Sequence, residues 1–159
     1  MARSTFVYVT YIRTTPDRLW SALTADAEFM KLYWFGMHCE SKFTAGASWK
    51  LMNDRSEVWD AGGIVEAERP RRLVIRWEHQ MRPELTAEGA SLCTMELEPV
   101  DQAVKLTITH SVEREGSKLI EAVSGGWPKI LSNLKSLLET GAVAFDTAAQ
   151  PAAREGSRS

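Results

Sequence analysis

The clearest periodic pattern in the chain runs from Ser117 to Gly141. Apolar residues recur there at steps of three and four, which places them along one side of a helix. They are Leu119, Ile120, Val123, Trp127, Ile130, Leu131, Leu134, Leu137 and Leu138. Ser117 is suited to accept a hydrogen bond from the first turn, and Gly141 suits the left-handed position after the last. The pattern predicts one long amphipathic helix that packs over a small domain.

The middle of this helix contains Gly125, Gly126, Trp127 and Pro128. Pro128 cannot donate to the carbonyl of Ser124, and its ring crowds that turn, so a bend or a short break is expected there. Two interpretations of the glycines stay open. They relieve the strain around the proline, or they open space beside Trp127 for a neighbouring element or a ligand.

A period of two replaces the helical period between residues 39 and 112, with turn residues between the runs. Six strands are predicted, at 40–44, 47–53, 57–67, 72–79, 92–98 and 103–112. Short strands joined by short turns favour an antiparallel sheet. Gly62 and Gly63 inside the third run indicate a bulge or a sharp bend.

The stretch before these strands predicts one further strand, 5–13, and two short helices that begin after Thr15 and Asp26. The result is an α+β fold in which a curved antiparallel sheet wraps around the long C-terminal helix and leaves an interior between them. We expect one domain over residues 1–141. Residues 142–159 lose periodicity and are predicted to form a flexible tail, with Phe145 as a candidate anchor.

The inward positions of the strands show where polar chemistry would lie. If residues 99–102 form a hairpin loop, Leu97 lies opposite Val104 and Cys93 lies opposite Ile108. His79, Cys93 and His110 then fall near one mouth of the interior. Two imidazoles and a thiol are zinc donors, but none stands in a short-spaced motif, so no metal is predicted. The alternative is a pair of pocket histidines that orient a ligand or move a proton near pH 7.

Large apolar side chains are plentiful, since the chain has six tryptophans and six methionines in 159 residues. Such residues build cores, and they also line adaptable apolar cavities. The candidate ligand-binding residues are Trp77, His79, Met95, His110, Trp127, Tyr33 and Trp34. A phosphate loop and a nucleophile elbow are absent, and Asp60, Glu66 and Glu68 are explained by a solvated strand face. No catalytic set and no cofactor are therefore predicted, and whether the protein is an enzyme stays open.

The net charge of the chain limits the classes of molecule that it is expected to bind. The formal net charge is -2 and the pI is near 6.0, without a basic cluster, which argues against nucleic acid and anionic membranes. The N-terminus alternates like a strand and does not resemble a signal peptide, and no apolar run reaches membrane-spanning length. Cys39 and Cys93 are then expected to be free thiols in the cytoplasm.

Three phrases in this order carry a resemblance: TTPDRLWSALTAD, GGIVEAERPRRLVIRW and GGWPKILSNLKSLLETG. Over about residues 5–141 the chain resembles the bacterial proteins similar to the activator of the heat-shock-protein-ninety ATPase. That group belongs to the SRPBCC or START-like superfamily, which includes the birch pollen allergen and polyketide cyclases. The resemblance implies a helix-grip fold, in which the sheet grips the long helix around a hydrophobic cavity. It offers no invariant catalytic set.

Members of this superfamily bind lipids, hormones, polyketides or other apolar molecules, and a minority catalyse cyclisation, dehydration or hydrolysis. The resemblance therefore implies a protein that binds a small hydrophobic or aromatic molecule. The residues themselves make His79, His110 and Tyr33 the candidates for fixing its polar end. Two alternatives stay open: a cyclase- or hydrolase-type enzyme acting in the same cavity, and a co-chaperone-like protein-interaction module. A homodimer is compatible with the size of the chain.

Overall fold

A seven-stranded antiparallel sheet and one long helix organise residues 3–145, the part of the chain that the computed structural model describes. The elements are β1 (Ser4–Ile12), α1 (Pro16–Leu23), α2 (Ala27–Tyr33), β2 (His38–Ser41), β3 (Ser48–Met52), β4 (Val58–Glu68), β5 (Arg72–His79), α3 (Pro83–Thr86), β6 (Ser91–Val100), β7 (Ala103–Val112) and α4 (Lys118–Thr140). The strand order is β1-β7-β6-β5-β4-β3-β2. The sheet is curved and packs around α4, which confirms the predicted α+β, helix-grip-like architecture.

The helix boundaries follow from the residues at their ends. Thr15 and Asp26 accept hydrogen bonds from first-turn amides of α1 and α2, and Ser117 does the same for α4. Gly141 ends α4 with φ of 86° and donates its N–H to the carbonyl of Leu137. The short helix α3 was not predicted, because four residues are too few to show a helical period.

The interior of α4 shows no break at Pro128, and the alternative expectation of a bend there stays a prediction. The helix runs from Lys118 to Thr140 without a break. A Cβ atom added at Gly125 or Gly126 would meet nothing within 4 Å outside the adjoining helix backbone. The glycines therefore lie beside open space, as one of the two interpretations of this stretch expected.

The pairing of β6 with β7 corrects the predicted hairpin. Leu97 lies opposite Leu106, Met95 opposite Ile108 and Cys93 opposite His110, two residues away from the predicted register. The loop is shorter than expected, since β6 continues through Pro99 and Val100 pairs with Ala103. A slip of two residues keeps every side chain on its predicted face but moves it along the sheet. It carries His110 away from the mouth and into the interior.

Gly62 holds a close approach inside the sheet. It pairs with Trp49 on one side and Trp77 on the other, and an added Cβ would lie 1.8 Å from the carbonyl oxygen of Arg76. The indole rings of Trp49 and Trp77 have centroids 4.5 Å apart. The register of β4 against β5 shifts between Ile64 and Glu66, so this bulge lies just after the two glycines, and the alternative of a sharp bend at Gly62 and Gly63 stays a prediction.

The chain beyond α4 folds back on the helix as far as it is described. Asn133 is fully buried, accepts the N–H of Phe145 at 2.6 Å and donates to its carbonyl at 3.1 Å. Phe145 is thus held through its backbone. The rest of the predicted tail, residues 146–159, lies outside the described residues. No helix within residues 3–145 has the length and apolar character needed to cross a membrane.

Candidate functional site

An apolar pocket of about 190 Å³ lies between α4 and the sheet. Its wall is formed by the C-terminal end of α2, the middle of α4, α3, and side chains of β3, β4 and β5. Trp34, Trp77 and Trp127 are among the aromatic residues of the wall, together with Phe35 and Trp59, and Asp60 and His79 are among its polar groups. Apolar walls with a few placed polar groups are typical of small-molecule sites.

Three tryptophans of this wall belong to one aromatic cluster, which consists of Trp34, Trp49, Trp77, Trp127 and His110. The centroids of Trp34 and Trp127 are 5.3 Å apart, and those of Trp77 and Trp127 are 5.9 Å apart in an edge-on arrangement. Edge-to-face contacts at such distances are favourable beyond the burial of area alone. The cluster joins α2, the sheet and α4, and it fills much of the interior that the sequence predicted to be hollow.

The polar end of the pocket is built on Asp60. Its Oδ1 accepts the indole N–H of Trp77 at 2.8 Å and lies 2.8 Å from Nδ1 of His79. Asp60 is buried, and so is His79. The strand pairing brings these two side chains together, because Asp60 in β4 lies directly opposite His79 in β5. The opposite nitrogen of His79, Nε2, is buried and has no hydrogen-bond partner.

Asp60 corrects the sequence interpretation, which assigned it to a solvated strand face. It shares the inward parity of Ile64, which lies four residues further along β4 and is buried. That parity was the available signal. It was outweighed by the general rule that carboxylates are exposed, a rule that fails where a carboxylate has hydrogen-bond donors around it.

His110 lies in a closed chain of hydrogen bonds away from the pocket wall. Its Nδ1 accepts the indole N–H of Trp127 at 3.2 Å, and its Nε2 lies 2.8 Å from Oγ of Ser91. The Ser91 hydroxyl donates to the carbonyl of Trp77 at 3.1 Å, so Nε2 is the donor toward Ser91. Both ring nitrogens are therefore satisfied, and the chain connects α4 to β5 and β6.

Burial lowers the pKa of His110 to about 3. Loss of hydration disfavours the charged ring, and a proton on Nδ1 would also break the hydrogen bond from Trp127. His110 is therefore neutral at physiological pH. This geometry does not suit it to accept protons from a ligand.

The seven predicted site residues divide into two groups. Trp34, Trp77, His79 and Trp127 line the pocket. Met95, His110 and Tyr33 are buried elsewhere, and the Tyr33 hydroxyl donates to the carbonyl of Ala22 at 2.7 Å. Burial raises the pKa of Tyr33 well above its ordinary value. A role of all seven in ligand binding stays a prediction.

Gly125 and Gly126 complete the helix side of the pocket wall. A Cβ atom at the half-buried Gly126 would meet nothing within 4 Å, so the volume beside Trp127 depends in part on the absence of a side chain there, whereas Gly125 is exposed. The side chain of Pro128 is outside the lining set, whereas those of Lys129 and Ile130 belong to it.

A contact that the sequence analysis missed fixes α3 against α4. Glu88, just after α3, accepts hydrogen bonds from the Ser117 hydroxyl at 2.6 Å and from the Lys118 N–H at 2.8 Å. The pKa of Glu88 is lowered, since these hydrogen bonds outweigh the opposing effect of burial. A carboxylate also suits the positive end of the helix dipole. Leu85 and Arg82 of this region line the pocket.

The predicted grouping of His79, Cys93 and His110 at one mouth is wrong. His79 lines the pocket, whereas Cys93 and His110 face each other across β6 and β7 inside the sheet. Within residues 3–145 no group of three or more His, Cys, Asp or Glu could hold a metal ion. Both cysteines are free and buried, and burial raises the pKa of Cys39 to about 12.

A second hollow of about 670 Å³ lies between the end of α1 and the β2 region. Charged and polar groups, among them Glu40, Lys42 and Arg69, make up much of its lining. None of the seven predicted site residues lines it. Although larger, it does not offer the enclosed aromatic wall of the first pocket.

Comparison with known proteins agrees with this architecture. A protein from Mesorhizobium loti, MLL2253, superposes with a TM-score of 0.72 at 22% identity over 86% of this chain and 97% of its own. The Aha1 dimer from Colwellia psychrerythraea gives 0.69 at 17% identity over 87% and 98%. PFC0360w, described as an HSP90 activator from Plasmodium falciparum, gives 0.68 at 22% identity over 85% and 96%. The TM-scores show a shared fold, and at these identities they show the fold alone.

A search of the curated proteins finds no significant match. The family model of the activator of Hsp90 ATPase homolog 1-like proteins matches residues 13–139, which include every strand except β1, and nearly all of α4. The earlier resemblance is thereby confirmed. The chain belongs to the family of activator of Hsp90 ATPase homolog 1-like proteins.

Proposed function

We propose that this protein binds a small hydrophobic or aromatic molecule in the pocket between α4 and the sheet. The observation that supports the proposal is the pocket itself, with Trp34, Trp77 and Trp127 in its wall and open space beside Gly126. Gly126 is half-buried beside Trp127, and a Cβ atom there would meet nothing within 4 Å.

The volume sets the size of the ligand. Drug-sized molecules occupy pockets of about 300–1,000 Å³. An engineered apolar cavity of about 150 Å³ accepts benzene. At about 190 Å³ the pocket fits one aromatic ring with one or two substituents. A ligand with so few atoms is expected to bind with a dissociation constant on the order of 0.1–1 mM.

A thermal-shift and NMR titration with single-ring compounds, for example toluene, phenol and indole, tests the proposal. At ten times its dissociation constant a ligand stabilises the folded state by about 1.4 kcal/mol, which raises the melting temperature by about 3–6 °C. The amide and indole resonances of Trp34, Trp77 and Trp127 should shift together. The proposal fails if no compound of this size changes either readout.

A matched pair of variants locates the binding. Gly126→Leu places a side chain in the open space and should abolish the shift. Ser124→Leu adds a similar group two residues earlier on the same helix, at a position outside the pocket wall, and should leave binding intact. Equal binding by both variants would place the ligand elsewhere.

An enzyme acting in the same pocket is the second candidate, favoured by the 2.8 Å contact between His79 and Asp60. A carboxylate that orients an imidazole is a common arrangement for a general base. His79, rather than His110, is then the residue to change: a His79 variant that binds ligand but does not convert it would indicate catalysis.

Assembly and location stay predictions. The Colwellia relative is described as a dimer, and we propose that this chain forms a homodimer as well, which sedimentation would test. The free, buried state of Cys39 and Cys93 is compatible with the expected cytoplasmic location.

A further inference from the structure

The polar groups of this site include a buried nitrogen, Nε2 of His79. It is buried without a hydrogen-bond partner, whereas Nδ1 of the same ring lies 2.8 Å from Oδ1 of Asp60. Buried polar atoms in folded proteins are nearly always paired, and an unpaired one at a pocket wall calls for an explanation. A bound molecule that supplies the missing partner is such an explanation.

The hydrogen bonds around Asp60 determine which kind of partner is missing. Oδ1 accepts the indole N–H of Trp77 at 2.8 Å, so this oxygen is an acceptor. The contact with His79 then requires the hydrogen to lie on Nδ1 of the ring. In the neutral imidazole this leaves a lone pair on Nε2, which can accept one hydrogen bond.

Two of the neighbouring donors are already engaged. The indole N–H of Trp77 binds Asp60, and that of Trp127 binds His110. We infer that the natural ligand is a single aromatic ring that carries an O–H or N–H donor, a phenol-like molecule, and that this donor binds Nε2 of His79. The inference rests on the proposed function, because it concerns the same pocket.

The His79 end of the pocket is covered by α3. The hydroxyl of Thr86 donates to the carbonyl of His79 at 2.8 Å, and Leu85 lines the pocket from the same helix. Because Nε2 is shut off by its surroundings, side chains of this wall must shift as a ligand enters. The hydrogen bond gained at Nε2 compensates for that displacement.

Phenol and toluene are nearly equal in shape and differ in the donor, so their relative affinity tests the inference. Dissociation constants are measured by NMR titration for the natural protein and for His79→Asn. The asparagine amide can still donate to Asp60, but it places nothing where Nε2 was. The preference for phenol over toluene should fall about tenfold in the variant, the value of one hydrogen bond to a buried acceptor.

Each outcome distinguishes this inference from the proposed function. If both compounds bind and their ratio is the same in the two proteins, His79 does not select a donor and the inference is wrong, while the pocket remains a binding site. If neither compound binds the natural protein, the proposed function fails and the inference fails with it.

If His79→Asn does not fold, a measurement on the natural protein alone tests the same inference. The nitrogen resonances of the imidazole report which nitrogen carries the hydrogen and whether the other accepts a hydrogen bond. We expect His79 to carry it on Nδ1, and phenol but not toluene to shift the Nε2 resonance. A hydrogen on Nε2 in the neutral ring, or phenol binding with an unchanged Nε2 signal, would overturn the inference.

Discussion

His110 and His79 are both buried beside Trp77, yet their hydrogen bonding differs. The ring of His110 has partners on both nitrogens, Trp127 and Ser91. His79 has Asp60 on one nitrogen and no partner on the other. His110 belongs to the core and connects α4 to the sheet. His79 lies at the edge of a pocket, and one of its ring nitrogens has no hydrogen-bond partner. The residue type alone does not distinguish the two histidines. Their different hydrogen bonding is set by the strand register, which determines the neighbours of each ring.

The largest expected effect comes from truncating the two rings in turn. His110→Ala leaves a cavity and removes partners from Trp127 and Ser91, so the free energy of unfolding should fall by about 4 kcal/mol. His79→Ala removes one hydrogen bond and one unpaired nitrogen at the pocket edge, and should cost about 1–2 kcal/mol. Urea unfolding followed by fluorescence measures both. Similar losses would mean that the two histidines play equivalent structural roles.

The lowered pKa of His110 should make the stability of the folded protein depend on pH in the acid range. The unfolded ring titrates near 6.5 and the buried ring near 3, so between these values unfolding takes up one proton. The stabilisation is complete above pH 6.5 and is lost as the pH falls toward 3. Relative to His110→Gln, which cannot titrate, the natural protein should lose about 1.4 kcal/mol per pH unit between pH 6 and 4. Parallel stability curves for the two proteins would contradict the lowered pKa.

Ser91 tests the closed hydrogen-bond chain more gently. Ser91→Ala leaves Nε2–H of His110 and the carbonyl of Trp77 without their shared partner, which should cost about 1–2 kcal/mol. Ser111→Ala, at a half-buried position next to His110 in the chain, is the matched control and should cost less than about 0.5 kcal/mol. Equal effects would show that the chain adds no stability.

The smallest effect is expected at the pocket. There a substitution should raise the free energy of unfolding, whereas the substitutions above lower it. Gly126→Ala adds a methyl group where nothing lies within 4 Å and improves the helix propensity of α4. The free energy of unfolding should rise by about 0.5–1 kcal/mol in a thermal or urea experiment. A loss of stability would indicate that the space beside Trp127 is already occupied.

The order of elements followed from periodicity because each element shows its own repeat over enough residues. The nine apolar positions between residues 119 and 138 of α4 and the alternation in β5, β6 and β7 could each be recognised without knowledge of the rest of the chain. Ser117 and Gly141 marked the ends of α4 through short-range chemistry.

What escaped prediction depended on contacts between distant segments. The register of the β6–β7 hairpin depends on its two-residue loop. Asp101 in this loop has φ of 55°, which allows β6 to continue through Pro99. The burial of Asp60 depended on His79 in the next strand, and the cap at the start of α4 depended on Glu88, about thirty residues away. Such partners leave no local pattern in a single sequence.

The aromatic cluster gives the protein an internal optical probe. Indole rings with centroids 4.5–6.5 Å apart exchange excitation energy far faster than they emit, so Trp34, Trp49, Trp77 and Trp127 behave as one coupled chromophore. Three of the four border the pocket. A molecule that enters it would therefore alter the emission and the near-ultraviolet circular dichroism of the whole group, without any attached label.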